Sequence, residues 1–204
     1  MKIAQSITPG SAALNLVIQP LWDSVQLGKA QTTPIQLFTV PLGQSSKTRV
    51  DTNVVQSGGL PSPNEFYLRG FLVQPLPLSP LNATFALTDV PDATRALDQT
   101  IFSFYIGTSG RKLVEGHAQL FPAGLGIDGM VTTGGATSAN NAYIMGSGVR
   151  RLDNRFGLGD FAEKLNATES FRGQFEFPSA SGLVLSSSIT FRVYLAGILG
   201  QSVG

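Results

Sequence analysis

Apolar and polar residues alternate with a period of two through much of this chain, most cleanly in its last third. In Phe171-Arg172-Gly173-Gln174-Phe175-Glu176-Phe177 three phenylalanines share one face with Gly173, opposite Arg172, Gln174 and Glu176. In the run from Ile189 to Ala196, Ile189, Phe191, Val193 and Leu195 fall together. Successive side chains of a strand point to opposite sides of a sheet, so both segments predict strands with one buried face.

The same period marks a hairpin. Gln99–Ile106 is rich in β-branched and aromatic residues, Gly107-Thr108-Ser109-Gly110 permits a tight reversal, and Arg111–Phe121 returns. On the return strand Leu113, Glu115, His117 and Gln119 are expected on one face and Val114, Gly116, Ala118 and Leu120 on the other. Earlier, Ile35–Val40 is a short strand between Pro34 and Pro41, and Lys47–Val55 is a polar continuation or second strand. The loop Ser57–Asn64 precedes a longer strand over Glu65–Gln74, in which Gly70 suggests a bulge or close approach. Pro75, Pro77 and Pro80 argue against regular central-strand bonding beyond it.

Helical signals are few. Pro91–Leu97 predicts a short helix, and Asp160-Phe161-Ala162-Glu163 has the cap and third-position acid of a helix start, limited to about two turns by Asn166 and Thr168. Pro122–Gly129 and Thr132–Asn141 are turn-rich. About eight short strands with long Gly/Pro loops predict an all-β fold, a jelly-roll β sandwich with long loops and short helical insertions. An immunoglobulin-type sandwich is disfavoured by the lack of a Cys-Trp-Cys framework. The domain organisation is an N-terminal arm or peripheral strand over residues 1–32 and one jelly-roll domain over residues 33–204. In the first part Leu14, Leu16 and Ile18 read as an edge strand stopped by Pro20; the segment is either an arm reaching a neighbouring subunit or an ordinary first strand with a loose terminus.

Composition narrows the classes. Only 13% of the 204 residues are charged, against about 25% in an ordinary soluble domain, so charge does little to keep molecules apart. A net charge of +1 gives no general footprint for nucleic acid or an anionic membrane. Without cysteine, disulfides, thiol catalysis and thiolate metal sites are excluded. No apolar run is long enough for a spanning helix, so no direct membrane insertion is expected.

Candidate chemistry is sparse. His117 is the only histidine, and no nucleophile or second imidazole accompanies it; its expected role is that of a half-exposed polar strand residue. Glu115 and Glu176 are a conceivable acid and base for glycoside hydrolysis if they face each other across a cleft, with Trp22 as the sole tryptophan for a sugar platform, but polar strand roles are favoured. The densest basic segment is Arg150-Arg151-Leu152-Asp153-Asn154-Arg155; a salt-bridge network is favoured there over genome contact. Gly107–Lys112 lacks the spacing of a phosphate loop. Met130 and Met145 are expected to pack rather than bind metal. No catalytic residue, cofactor or metal is expected.

The proline-bounded strand Pro34–Pro41, Asp51-Thr52-Asn53 followed by Leu60-Pro61-Ser62-Pro63 and Phe66, the paired strands around Gly107–Gly110, and Phe191–Leu199 together resemble the single jelly-roll capsid and capsid-associated proteins of tailless phages. The resemblance is one of pattern over most of residues 34–200. It implies a structural virion protein, assembled in the host cytoplasm, whose partners are copies of itself and other virion proteins. The alternative is a phage or bacterial β-sandwich module that binds carbohydrate or another surface ligand.

Overall fold

The computed structural model of the chain describes residues 14–76, 89–121, 127–132, 141–146, 156–159, 162–178 and 180–202. Its strands are β1 (Leu14–Val17), β2 (Leu21–Leu27), β3 (Ile35–Leu37), β4 (Glu65–Leu76), β5 (Ile101–Ile106), β6 (Arg111–His117), β7 (Ile127–Thr132), β8 (Asn141–Gly146), β9 (Phe156–Gly157), β10 (Glu163–Asn166), β11 (Phe171–Glu176) and β12 (Ile189–Ser202). One helix, α1 (Asp89–Gln99), precedes β5.

Two antiparallel sheets form a sandwich, in the orders β2-β12-β4-β10 and β3-β11-β5-β6. If these eight strands are ranked in chain order, the first pairs with the eighth, the second with the seventh, the third with the sixth and the fourth with the fifth. Four nested pairs amount to one long ribbon rolled into two sheets, which is a jelly roll. β7 and β8 form a separate hairpin.

The interior is rich in leucine and phenylalanine. Phe66, Phe71, Phe102, Phe104, Phe175 and Phe191 are fully buried. Phe175 meets Phe102 and Phe191, each at 5.7 Å between ring centroids, and Phe71 meets Phe104 at 5.0 Å. These tilted and edge-on contacts suit the ring quadrupoles. The expected alternation holds in β11 and at the start of β12: Phe171, Gly173, Phe175, Ile189, Phe191, Val193 and Leu195 are buried. Gly173 leaves the space that Leu37 and Phe102 occupy, since a Cβ there would lie 3.2 Å from each.

Several local expectations are corrected. The helix start at Asp160–Glu163 does not develop: Asp160 and Phe161 lie outside the described residues, and Glu163–Asn166 is β10, paired with Glu65–Leu68. A two-turn helix is marginal, whereas the edge of β4 supplies backbone partners and a buried position for Leu165. Residues 14–27 are also more than an arm. β1 lies along the end of β12, and β2 continues in the same register, with Val17 facing Leu199 and Leu21 facing Leu195. β2 is not peripheral, because Leu21, Asp23 and Leu27 are buried in the sandwich. The segment 47–55 forms turns and one bridge, Thr52 to Asp23, rather than a strand.

β4 runs through Pro75 although proline lacks an N–H. The Val73 N–H points away from β12 to the Phe121 carbonyl, so the nitrogen two residues on points the same way, beyond the pairing of β9 and β10. The bulge suggested by Gly70 is present: Gly70 faces Ala196 and Leu68 faces Gly197, leaving Arg69 unpaired. β6 is bulged too, at Leu113, so Leu113 and Val114 both pack on the core instead of alternating. Beyond His117 the strand gives way to a 3-10 turn over Ala118–Leu120. The predicted helix at Pro91–Leu97 is present and longer, with Ala93, Ala96 and Leu97 as its buried stripe.

Candidate functional site

Glu115, Glu176 and His117 all reach the solvent side of the β3-β11-β5-β6 sheet, on β6 and β11 with β5 between. Each is engaged locally. Glu176 accepts from the Gln174 amide at 2.9 Å and the Tyr105 hydroxyl at 3.5 Å. Glu115 accepts from Ser103 at 3.3 Å and bonds Lys112. That Lys112 bond holds the Glu115 carboxyl below the usual range, the reverse of what a general acid requires. The two carboxylates share one sheet face, so neither looks across a cleft at the other. Around them Arg172 and Lys112 lie over the Tyr105 ring, 4.8 and 5.6 Å from its centre.

His117 has a structural partner. Its Nδ1 lies 3.0 Å from the Asp98 carbonyl oxygen, and since a carbonyl only accepts, Nδ1 carries the proton in this bond. A carbonyl in the last turn of α1 is thereby satisfied from the neighbouring strand. The Gly107–Gly110 segment is a hairpin turn whose two glycines have φ of 76° and 66°; the Gly107 N–H donates to Ser170 and the Gly110 N–H to Gly107. Met130 and Met145 fall on β7 and β8, opposite Tyr143 and Asp128 in register. Arg150–Arg155 lies outside the described residues.

Three features at the two ends of the sandwich were not singled out by the sequence. The first is Asp23, on the inward face of β2 opposite Val193 and without solvent exposure. Its Oδ1 meets the Lys47 ammonium at 2.5 Å and its Oδ2 accepts the Phe38 N–H at 2.7 Å. Phe38 sits at φ 66°, a conformation that costs a bulky residue energy and needs such an anchor. The pair therefore fixes the path of the chain as it leaves β3 and crosses the end of the sandwich.

The second is a cleft of about 340 Å³ that this crossing segment encloses with β2 and the end of β12. Its apolar part comes from Leu21, Leu42, Val54, Leu60 and Leu199; Trp22 is a further lining residue, and Gln19, Arg49, Asn64 and Gln201 are the polar ones that remain unbonded through their side chains among the described residues. Asn53 braces it, accepting the Trp22 N–H at 2.8 Å and donating to the Pro20 carbonyl at 2.9 Å. Trp22 was visible in the sequence only as the sole tryptophan. A signal for Asp23 was present: in Leu21–Leu27 it is a charge on the register of Leu21, Val25 and Leu27.

The third feature lies at the opposite end. Asp92 of α1, fully buried, accepts the N–H groups of Ser186, at 2.8 and 3.0 Å to its two oxygens, and of Ser187 at 2.9 Å. It pins the segment entering β12 to the helix. Among the described residues no group of three or more His, Cys, Asp or Glu gathers as a metal site, and no helix is long and apolar enough to cross a membrane. Comparison with protein-family models, with curated proteins and with solved structures finds no match.

Proposed function

We propose that this protein is a structural virion subunit that self-assembles into, or decorates, a capsid, acting through contacts with its own copies and other virion proteins rather than by turning over a substrate. The observation that carries this reading is a sparsely charged jelly roll with large apolar side chains exposed at both ends. Ile18 is 76% exposed, Val50 68%, Leu120 57% and Val184 56%. Such groups gain from burial between subunits, and a surface with 13% charged residues offers little repulsion against it. The jelly roll is a recurrent capsid architecture, which agrees with the resemblance in sequence pattern. Assembly in the host cytoplasm, residence in the virion and any genome contact through Arg150–Arg155 belong to the same proposal.

The test is the mass and shape of the purified full chain, by sedimentation and particle imaging at virion-like ionic strength. Closed shells, rings or discrete oligomers are the expected outcome. A monomer at every accessible concentration, alone and with other virion proteins, overturns the reading.

A further inference from the structure

We propose that the Trp22 cleft receives the α1 end of a second copy, so that subunits join head to tail. This rests on the assembly reading above and names the two surfaces that meet. Six large apolar side chains are exposed among the described residues, and five fall into two groups. Val55, 58% exposed, lines the cleft, while Ile18 and Val50 adjoin its lining residues Gln19 and Arg49. Leu120 and Val184 gather at the C-terminal turn of α1: the Val184 N–H donates to Gln99 Oε1 at 3.3 Å, and Leu120 ends the 3-10 turn that packs on the helix. The sixth, Phe156, stacks on Phe121 at 4.8 Å and is already partnered.

The two groups cannot cover each other within one molecule. The cleft includes Leu199 and Gln201 near the end of β12, whereas Val184 lies just before that strand begins at Ile189. At about 3.3 Å per residue, Ile189 and Leu199 are roughly 30 Å apart. A concave site of mixed apolar and polar lining at one end and protruding apolar side chains at the other are the two halves of a heterologous contact, which generates a ring or shell when its rotation closes.

Charge agrees with this pairing. Arg49 is the one charged residue among the described lining of the cleft, and it has no ion pair among the described residues. Asp98, exposed on α1, adjoins Gln99, the residue that holds Val184, while Arg95 lies a turn nearer the helix start. Both surfaces are also preset, the cleft by Asp23 and Asn53 and the α1 end by Asp92, which lowers the ordering cost of association.

The experiment uses two full-length variants, Val55→Asp in the cleft and Val184→Asp at the helix end, each placing a charge at an exposed site. Each alone is expected to self-associate at least tenfold more weakly than the parent, with unchanged thermal unfolding. Mixed one to one, they are expected to form a heterodimer and nothing larger, because each retains the surface that the other has lost. Trp22, as the only tryptophan, should change its emission on mixing. Unimpaired assembly of both variants, or a mixture that stays monomeric, overturns the proposal while assembly of the parent leaves the capsid reading standing; a monomeric parent removes both. A Trp22 emission change produced by simple sugars on the monomeric Val184→Asp variant would give the cleft to a small ligand instead and also overturn it.

Discussion

The two ends of the sandwich are held by fully buried aspartates in different ways. Asp23 lies on an inward strand position, where among the described residues one backbone amide, that of Phe38, reaches it and Lys47 supplies the other partner. Asp92 meets two consecutive amides, from Ser186 and Ser187, and has no cation partner among the described residues. A buried carboxylate needs its oxygens occupied, and either a countercharge or several N–H donors will do it. The cleft end therefore depends on a pair of charged side chains, whereas the helix end depends on the backbone conformation that presents the Ser186 and Ser187 amides to one carboxylate. Removing one partner should accordingly cost more at the cleft, because it strands a charge.

The largest expected effect is that of Asp23→Ala. It leaves the Lys47 ammonium, only 16% exposed, without its partner and the Phe38 N–H without an acceptor, and should lower unfolding stability by about 3 to 5 kcal/mol. Urea denaturation measures it; a loss below about 1 kcal/mol would erase the contrast between the ends. Asp92→Ala should cost about 2 kcal/mol, since Ser186 is exposed enough for water to replace part of what is lost. Hydrogen exchange at the Ser186 and Ser187 amides should rise in that variant while the cleft end keeps its protection.

Replacing both members of the cleft pair sharpens the comparison. Asp23→Leu with Lys47→Met removes the ion pair without stranding either charge, and the expected loss falls to about 1 to 2 kcal/mol, chiefly from the unpaired Phe38 N–H. A double variant as unstable as Asp23→Ala would mean that the charge itself contributes little.

The smallest effect belongs to the exposed pair of Glu65 and Lys164, 2.7 Å apart at the cleft end. Partial burial raises the Glu65 carboxyl, but hydrogen bonds from Lys164 and Tyr67 outweigh it and hold the group below its ordinary 4.5. A carboxyl lowered by folding stabilises the protein above its ordinary value, and that contribution disappears as pH falls through the folded value. Because Lys164 is exposed and Glu65 only partly buried, solvent screening limits it to a few tenths of a kcal/mol. Unfolding curves from about pH 6 to about pH 3 should be slightly flatter for Glu65→Gln than for the parent; identical curves would show that the pair contributes nothing.

Strand faces were legible where the period of two was unbroken. Phe171–Phe177 needs no tertiary information to choose its buried side, and the Gly107–Gly110 reversal announces itself by residue type. Signals that depend on a distant partner were not legible. The local helix signal at Asp160–Glu163 loses to the edge of β4, about a hundred residues earlier in the chain, and Pro75 fits in β4 because its nitrogen faces a side that has no strand partner there among the described residues. The bulge at Leu113 shifts a register that sequence alternation carries straight through. The cleft was least legible of all, because residues 19–64 meet residues 199–201 there, and only their meeting makes Trp22 more than a lone aromatic.

The nesting of the strands also governs when this chain can fold. β12 is the central strand that joins β2 to β4, yet it is supplied by residues 189–202, so the first and last ribosome-emerging strands of the jelly roll must find each other. During synthesis β2 and β4 wait, with their apolar faces uncovered, until residues 189–202 have emerged. Of the eight jelly-roll strands, only β5 and β6 have each other at hand early. Closure over such sequence separations is slow, and it leaves unpaired strands open to wrong partners meanwhile. Nascent chains are thus expected to need dilution or chaperone cover before any subunit contact can form in the right order.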